Sequence, residues 1–149
     1  MNSPASSMQL TRGADYAARI MIHLAGLPDH ERVLLPTLAT VTNTPASFLS
    51  KVLQALTRAG LIASRRGQQG GFEILPKGRA ASLLEVVEAI DGPIRLNVCV
   101  DCHDQPTKCG RQHWCPSNPV WKQAQSAMLT VLGNARIAEM SEQARASGH

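Results

Sequence analysis

The chain has 149 residues, 44% of them hydrophobic and only 3% aromatic, with a formal net charge of +4. That length fits one domain, or one small domain with an extension, and an aliphatic, alanine-rich core favours packed helices over a β-sandwich. No run approaches the roughly 18 apolar residues of a membrane span, and the start Met1-Asn2-Ser3-Pro4 lacks the basic-then-apolar pattern of a secretory signal, so a cytoplasmic protein with no membrane partner is expected.

Charge is uneven along the chain. Residues 1–79 hold nine Lys/Arg against four Asp/Glu, and residues 80–149 hold six against seven. A basic first part joined to a near-neutral second part suggests a polyanion-binding module beside a separate sensing part.

After a polar leader, Thr11 is placed to cap a first helix running to about Leu27, where Ala14, Ala17, Ala18, Met21, Leu24 and Ala25 recur at helical spacing and Pro28 ends it. Asp15 and Arg19 stand one turn apart on it, the spacing of an exposed ion pair. Pro36 opens a second, short helix at a position where its missing N–H costs nothing. Thr44 is expected to cap a third, from Pro45 to Ala59, with Phe48, Leu49, Val52, Leu53 and Leu56 facing inward and Gly60 as a left-handed stop. Two helices about a tight turn, the second longer, form the helix-turn-helix pattern. The outward residues of the second, Ser47, Ser50, Lys51, Gln54 and Arg58, include no acid and suit phosphates and base edges.

Two short apolar runs, Leu61–Ser64 and Phe72–Leu75, then flank a loop with three glycines and two arginines, which predicts a hairpin. Directly after a helix-turn-helix this hairpin is a wing, with Arg65, Arg66, Gln68 and Gln69 able to reach DNA. Ser82 and Glu85 form a capping box for a helix to Ile90, stopped by Asp91-Gly92-Pro93. A long helix starts at Asn118-Pro119 and runs to about Leu132, with Val120, Ala124, Ala127, Met128, Val131 and Leu132 on one side. Such a lone amphipathic helix needs a partner, and the same helix of a second copy is the economical one. Ile137 to Met140 adds a last turn before a loose tail. The expected fold is mainly α with a small β-hairpin wing. It divides into a winged helix-turn-helix domain over residues 1–80, a linking helix and cysteine loop over 81–116, and a dimerisation helix with its tail over 117–149.

All four cysteines, Cys99, Cys102, Cys109 and Cys115, fall within the loop between the last two long helices. A short polar loop cannot bury a core of its own, and a thiolate-bound metal or cluster can offset the entropy of ordering it. In a reducing compartment clustered thiols bind metal or sense redox state more often than they form structural disulfides. Cys-x2-Cys followed by Cys-x5-Cys is also compatible with a tetrahedral zinc site in a zinc-stabilised DNA-binding protein. No nucleophile–base set or phosphate loop is visible, so no enzymatic activity is expected.

Several segments together carry a family resemblance: Met8-Gln9-Leu10-Thr11 with Asp15-Tyr16-Ala17, Leu49 to Leu61 ending Arg58-Ala59-Gly60-Leu61, and Arg65-Arg66-Gly67 with Gly70-Gly71-Phe72. It continues through Val86 to Pro93, Cys115-Pro116 with Trp121, and Ile137-Ala138-Glu139-Met140. From Met8 to about Met140 the chain resembles the Rrf-two family of bacterial winged-helix transcription regulators, whose types include NsrR, IscR and RsrR. The resemblance implies a homodimer on a palindromic operator in double-stranded DNA. It also implies an iron–sulfur cluster, 4Fe-4S favoured and 2Fe-2S as the other form, on Cys99, Cys109 and Cys115. Cys102 lies inside a longer than usual spacing and stands as an alternative ligand or a spare thiol. Asp15 with Arg19 matches the NsrR combination, in which Asp15 of the partner subunit is the fourth ligand. His113 corresponds to the IscR option, and His103 is a third candidate. Lys51 also matches NsrR. The function implied is a repressor sensing nitric oxide or redox stress, with an IscR-type regulator of iron–sulfur biogenesis or iron status as the alternative.

Overall fold

The computed structural model describes residues 10–68, 70–97, 99–100 and 109–148. Helix α1 (Arg12–Ala25) buries Ala14, Ala17, Ile20, Met21, Leu24 and Ala25 at helical spacing. Thr11 caps it through its side-chain oxygen, which accepts from the Ala14 N–H. The short α2 (Leu35–Val41), with Pro36 in its first turn, leads into α3 (Ala46–Arg58), whose Leu49, Val52, Leu53 and Leu56 are buried against α1. Each such buried side chain stabilises the fold by about 1.5–3 kcal/mol relative to exposure.

Two expectations about α3 fail for local reasons. Thr44 does not cap the helix; α3 begins after Pro45 with no side-chain cap, because Thr44 is buried in a pair with Thr42, their hydroxyls 2.8 Å apart. The Thr42 hydroxyl in turn donates to the Leu38 carbonyl at 2.6 Å, which closes the turn between α2 and α3. Phe48 does not face inward. It is 41% exposed, lying at the edge of the core with its ring edge-on to that of Tyr16, 5.4 Å away.

After Gly60, whose φ of +73° ends α3 as expected, β1 (Ile62–Arg65) and β2 (Gly71–Ile74) pair antiparallel with Ala63 opposite Glu73 and Arg65 opposite Gly71. Val33 adds a one-residue third rung, exchanging hydrogen bonds with Phe72 at 3.0 and 2.9 Å. This approach requires Gly71: a Cβ there would lie 2.7 Å from the Val33 carbonyl oxygen, and φ is +129°.

A short α4 (Pro76–Ala80), not anticipated from the sequence, follows the hairpin and serves as a capping device. Lys77 donates to the Ala59 carbonyl at 2.8 Å, and Arg79 donates to the carbonyls of Ala25 and Leu27. Two cations thus sit at the negative C-terminal ends of α3 and α1. Helix α5 (Leu83–Asp91) begins with the full capping box of Ser82 and Glu85. At its other end the Asp91 carboxylate accepts from both the backbone N–H and the hydroxyl of Thr11, and so holds the start of α1.

Helix α6 (Asn118–Asn134) leaves Val120 and Val131 62% and 68% exposed, with Ala124 and Ala127 exposed along the same stripe. The residues it buries are polar, Asn118 and Gln125. The expected last turn is a longer helix, α7 (Ile137–Ala146), packed on α1. Its first residue, Ile137, is fully buried, and the bonds Ile137 N–H to Ala81 O (3.0 Å) and Leu83 N–H to Ala135 O (2.8 Å) fasten it beside α5. The tail reading failed because α7 has few apolar residues and draws its stability from this docking. Among the described residues no helix is long and apolar enough to cross a membrane.

Candidate nucleic-acid interface and thiol loop

Helix α3 and the hairpin enclose a cleft of about 690 Å³. Ser50, Gln54 and Arg58 line it from the helix and Ser64 and Arg66 from the hairpin, over a floor of Leu35, Leu53 and Phe72. Ser47 and Lys51 are exposed on the same helix without lining the cleft. The spacing of polar residues on α3 therefore projects a hydrogen-bonding, non-acidic surface beside the wing, the arrangement that meets a DNA groove and its phosphates.

Strand register separates the two wing arginines. Directly opposed residues of an antiparallel pair share a face, so Arg65 stands with Ala63 and Glu73, whereas Ser64 and Phe72 share the face that meets α3. The Glu73 side chain is only 6% exposed and carries two ion pairs, to Arg65 (3.3 Å) and to Arg32 (3.7 Å). A buried carboxylate is tolerable only when paired, and this one restrains Arg65 while Arg66 enters the cleft. Gln68 lines a different depression, with His30, Arg32 and Leu34, and Gln69 lies outside the described residues.

The charge asymmetry of the sequence resolves into two classes of cation. Arg19 pairs with Asp15 at 2.7 Å, Arg32 and Arg65 pair with Glu73, and Lys77 and Arg79 cap helices. Among the described residues of the first half, Arg12, Lys51, Arg58 and Arg66 have no such internal engagement, and three of these lie on α3 and the wing.

The loop between α5 and α6 carries the thiols. Cys99 is buried, Cys109 and Cys115 are half-buried, and all three are free of disulfides. Cys115 Sγ lies 3.1 Å from Ser117 Oγ. Hydrogen bonding from the Ser117 hydroxyl and then its backbone N–H holds the Cys115 thiol below the ordinary thiol range, with burial opposing and Arg111 assisting. The stem of the loop is tied to α6: Asn118 Nδ2 donates to the Cys99 carbonyl at 2.7 Å, the Asn118 N–H donates to the Cys115 carbonyl at 3.1 Å, and Gln125 Oε1 accepts the Leu96 N–H at 2.9 Å. The sequence marks Asn118 only as the start of a helix and gives no sign of Gln125; two polar residues seven apart on a mostly exposed helix carry no further signal by themselves.

The other candidate ligands are dispersed. Asp15 is exposed on α1 in its ion pair with Arg19, and His113 is exposed, its Nε2 3.1 Å from Gln112 Nε2. Cys102 and His103 lie outside the described residues. Among the described residues no group of three or more His, Cys, Asp or Glu side chains converges closely enough to hold an ion. The donor chemistry nonetheless suits an iron–sulfur cluster: reduced, soft thiols, one of them biased toward thiolate.

A two-helix reader, a hairpin wing and cations reserved for both define a winged helix-turn-helix DNA-binding protein. The chain belongs to the Rrf2 family, described as iron-dependent transcriptional regulators, which it matches over residues 10–143. It is 33% identical over 108 residues to an rrf2-like HTH-type transcriptional regulator of Rhodobacter capsulatus, covering 64% of this chain and 72% of that protein. Its fold is similar to that of CymR, the global cysteine regulator of B. subtilis, with a TM-score of 0.71 at 20% identity over 91% of this chain and 97% of that one. It is likewise similar to IscR of T. potens, with a TM-score of 0.73 at 19% identity over 95% and 91%. The chain is accordingly a transcriptional regulator of the Rrf2 family.

Proposed function

We propose that this regulator is a homodimeric repressor whose operator binding is set by an iron–sulfur cluster held on Cys99, Cys109 and Cys115, with nitric oxide or redox stress as the signal. The observation that carries the reading is the attachment of the thiol loop at both ends to elements of the regulator. Asp91, where the loop begins, holds Thr11, the cap of α1, and Asn118, where it ends, holds the carbonyls of Cys99 and Cys115. When bound, the cluster supplies iron that nitric oxide attacks. The Cys99, Cys109 and Cys115 thiolates would hold it, with Asp15 of the partner subunit as the fourth ligand. The Ser117 hydrogen bonds lower the Cys115 thiol pKa, and burial shields Cys99 from solvent. The stripe Val120, Ala124, Ala127 and Val131 would pack against its copy, so that a change in the loop alters the spacing of two recognition helices. The coupling is a free energy shared between the thiol site and operator affinity.

The test is iron, sulfide and zinc analysis of anaerobically purified protein, with its visible spectrum before and after nitric oxide. Iron and sulfide with an absorbance that nitric oxide bleaches, both lost in Cys109→Ala, is the expected result. Stoichiometric zinc without visible absorbance, or a Cys109→Ala variant that keeps its full cluster and normal regulation, overturns it.

A further inference from the structure

We infer that Asn118 is the positioning residue of the thiol site: it sets the separation of Cys99 from Cys115 and joins that pair to α6. This inference rests on the reading of the loop as a metal-holding site.

Cys99 and Cys115 are far apart in sequence and belong to different ends of the loop, yet their carbonyls are bound by one residue. The Asn118 side-chain amide donates to Cys99 and its backbone N–H donates to Cys115. Asn118 is 4% exposed, so the bond to Cys99 competes with little water, and losing it would leave a buried carbonyl and a buried amide unsatisfied. Gln125, two turns further along α6 and equally buried, accepts from Leu96 and fixes the approach to Cys99 on the same face of the helix. The opposite face of α6 carries the exposed Val120–Val131 stripe. One helix therefore holds the thiol-bearing backbone on one side and an unpartnered apolar stripe on the other. An asparagine in this place does what outer partners do at metal sites generally: it orients ligands it never replaces.

Two readouts test this on the full-length, anaerobically reduced, metal-free protein: titration with Co2+ alone, followed by thiolate charge-transfer absorbance, and the alkylation rates of Cys99 and Cys115, resolved by peptide mass analysis. In Asn118→Ala the Co2+ affinity is expected to fall about 10–100-fold, as for other outer partners of metal ligands. Cys99 should alkylate about 2- to 10-fold faster relative to Cys115, the range that losing one hydrogen bond of ordinary net strength allows. A purely structural role would change stability without changing that ratio. If Asn118→Ala does not fold, the similarly sized Asn118→Leu removes the donor to Cys99 without adding a charge or leaving a cavity and is expected to show the same shift in the ratio. An unchanged Co2+ affinity together with an unchanged ratio overturns the inference. Wild-type protein that takes up no Co2+ overturns the metal reading of the loop instead, and the alkylation ratio then decides the role of Asn118 alone.

Discussion

Behind the DNA-reading face, Leu49, Leu53 and Leu56 are essentially fully buried, whereas the described part of the stretch from Gly92 to Ser117 buries only Cys99 and Val100. The first region is held by apolar contacts along the inward face of α3; the second is tied by directional bonds made by Asp91, Asn118 and Gln125. A packed core resists small changes because its side chains interlock. A segment with few buried apolar side chains opens at lower free energy than a packed core, so on the proposed reading the loop can rearrange and the reader beside it stays folded.

The largest test of this contrast compares one truncation in each region. Leu56→Ala should cost about 2–5 kcal/mol of stability in chemical denaturation and take DNA binding with it. Cys109→Ala, measured in metal-free protein, should leave the unfolding midpoint within about 0.5 kcal/mol of wild type. A large loss in the second variant would mean that the thiol loop is part of the core.

Within the reader, the two wing arginines should differ. Arg66→Ala should weaken binding to duplex DNA and reduce the salt dependence by about one unit of slope, as expected on losing one phosphate contact. Arg65→Ala should do less, because Glu73 already holds that guanidinium. Equal losses in a salt titration would show that strand register does not separate their roles.

At the joint between the regions, Ser82→Ala should cost about 1 kcal/mol by removing the capping box of α5. Its effect should appear in thermal unfolding and leave the relative reactivity of the thiols unchanged.

The smallest effect is a pH dependence. Burial lowers the pKa of His23 below the ordinary imidazole value, against the opposing charge of Glu31. Above the unfolded-state pKa of about 6.5 the ring is neutral in both states and contributes no slope. As pH falls from there toward the lower folded-state pKa, the unfolded chain binds more protons and stability is lost. His23→Gln should flatten that acid limb of a stability–pH curve, and a limb that persists unchanged would assign it to other groups.

Much of the architecture was legible from local pattern. Apolar spacing, Thr11, Gly60 and the Ser82–Glu85 box located α1, α3 and α5 to within a residue or two, because each signal acts inside its own helix. That Ser47, Ser50, Lys51, Gln54 and Arg58 face outward was readable for the same reason, since they alternate at helical spacing with the buried leucines. Thr44, Phe48 and α7 were misjudged where a neighbour distant in sequence overrode the local preference: Thr42 with the α2 carbonyls, Tyr16 of α1, and the Ala81–Leu83 backbone.

By itself, then, the sequence determined α1, α3, α5 and α6, the hairpin, and the four clustered thiols, since these depend on periodicity, caps and composition over a few residues. Only the tertiary structure decided which cations of the first half are engaged internally, which wing arginine enters the cleft, and that Asn118 bonds the carbonyls of both Cys99 and Cys115. Those outcomes rest on pairs far apart in the chain, Arg79 with Ala25, Arg32 with Glu73 and Asn118 with Cys99. Hydrogen bonds and ion pairs act over a few ångströms, so such partners exist only after packing has brought the segments together.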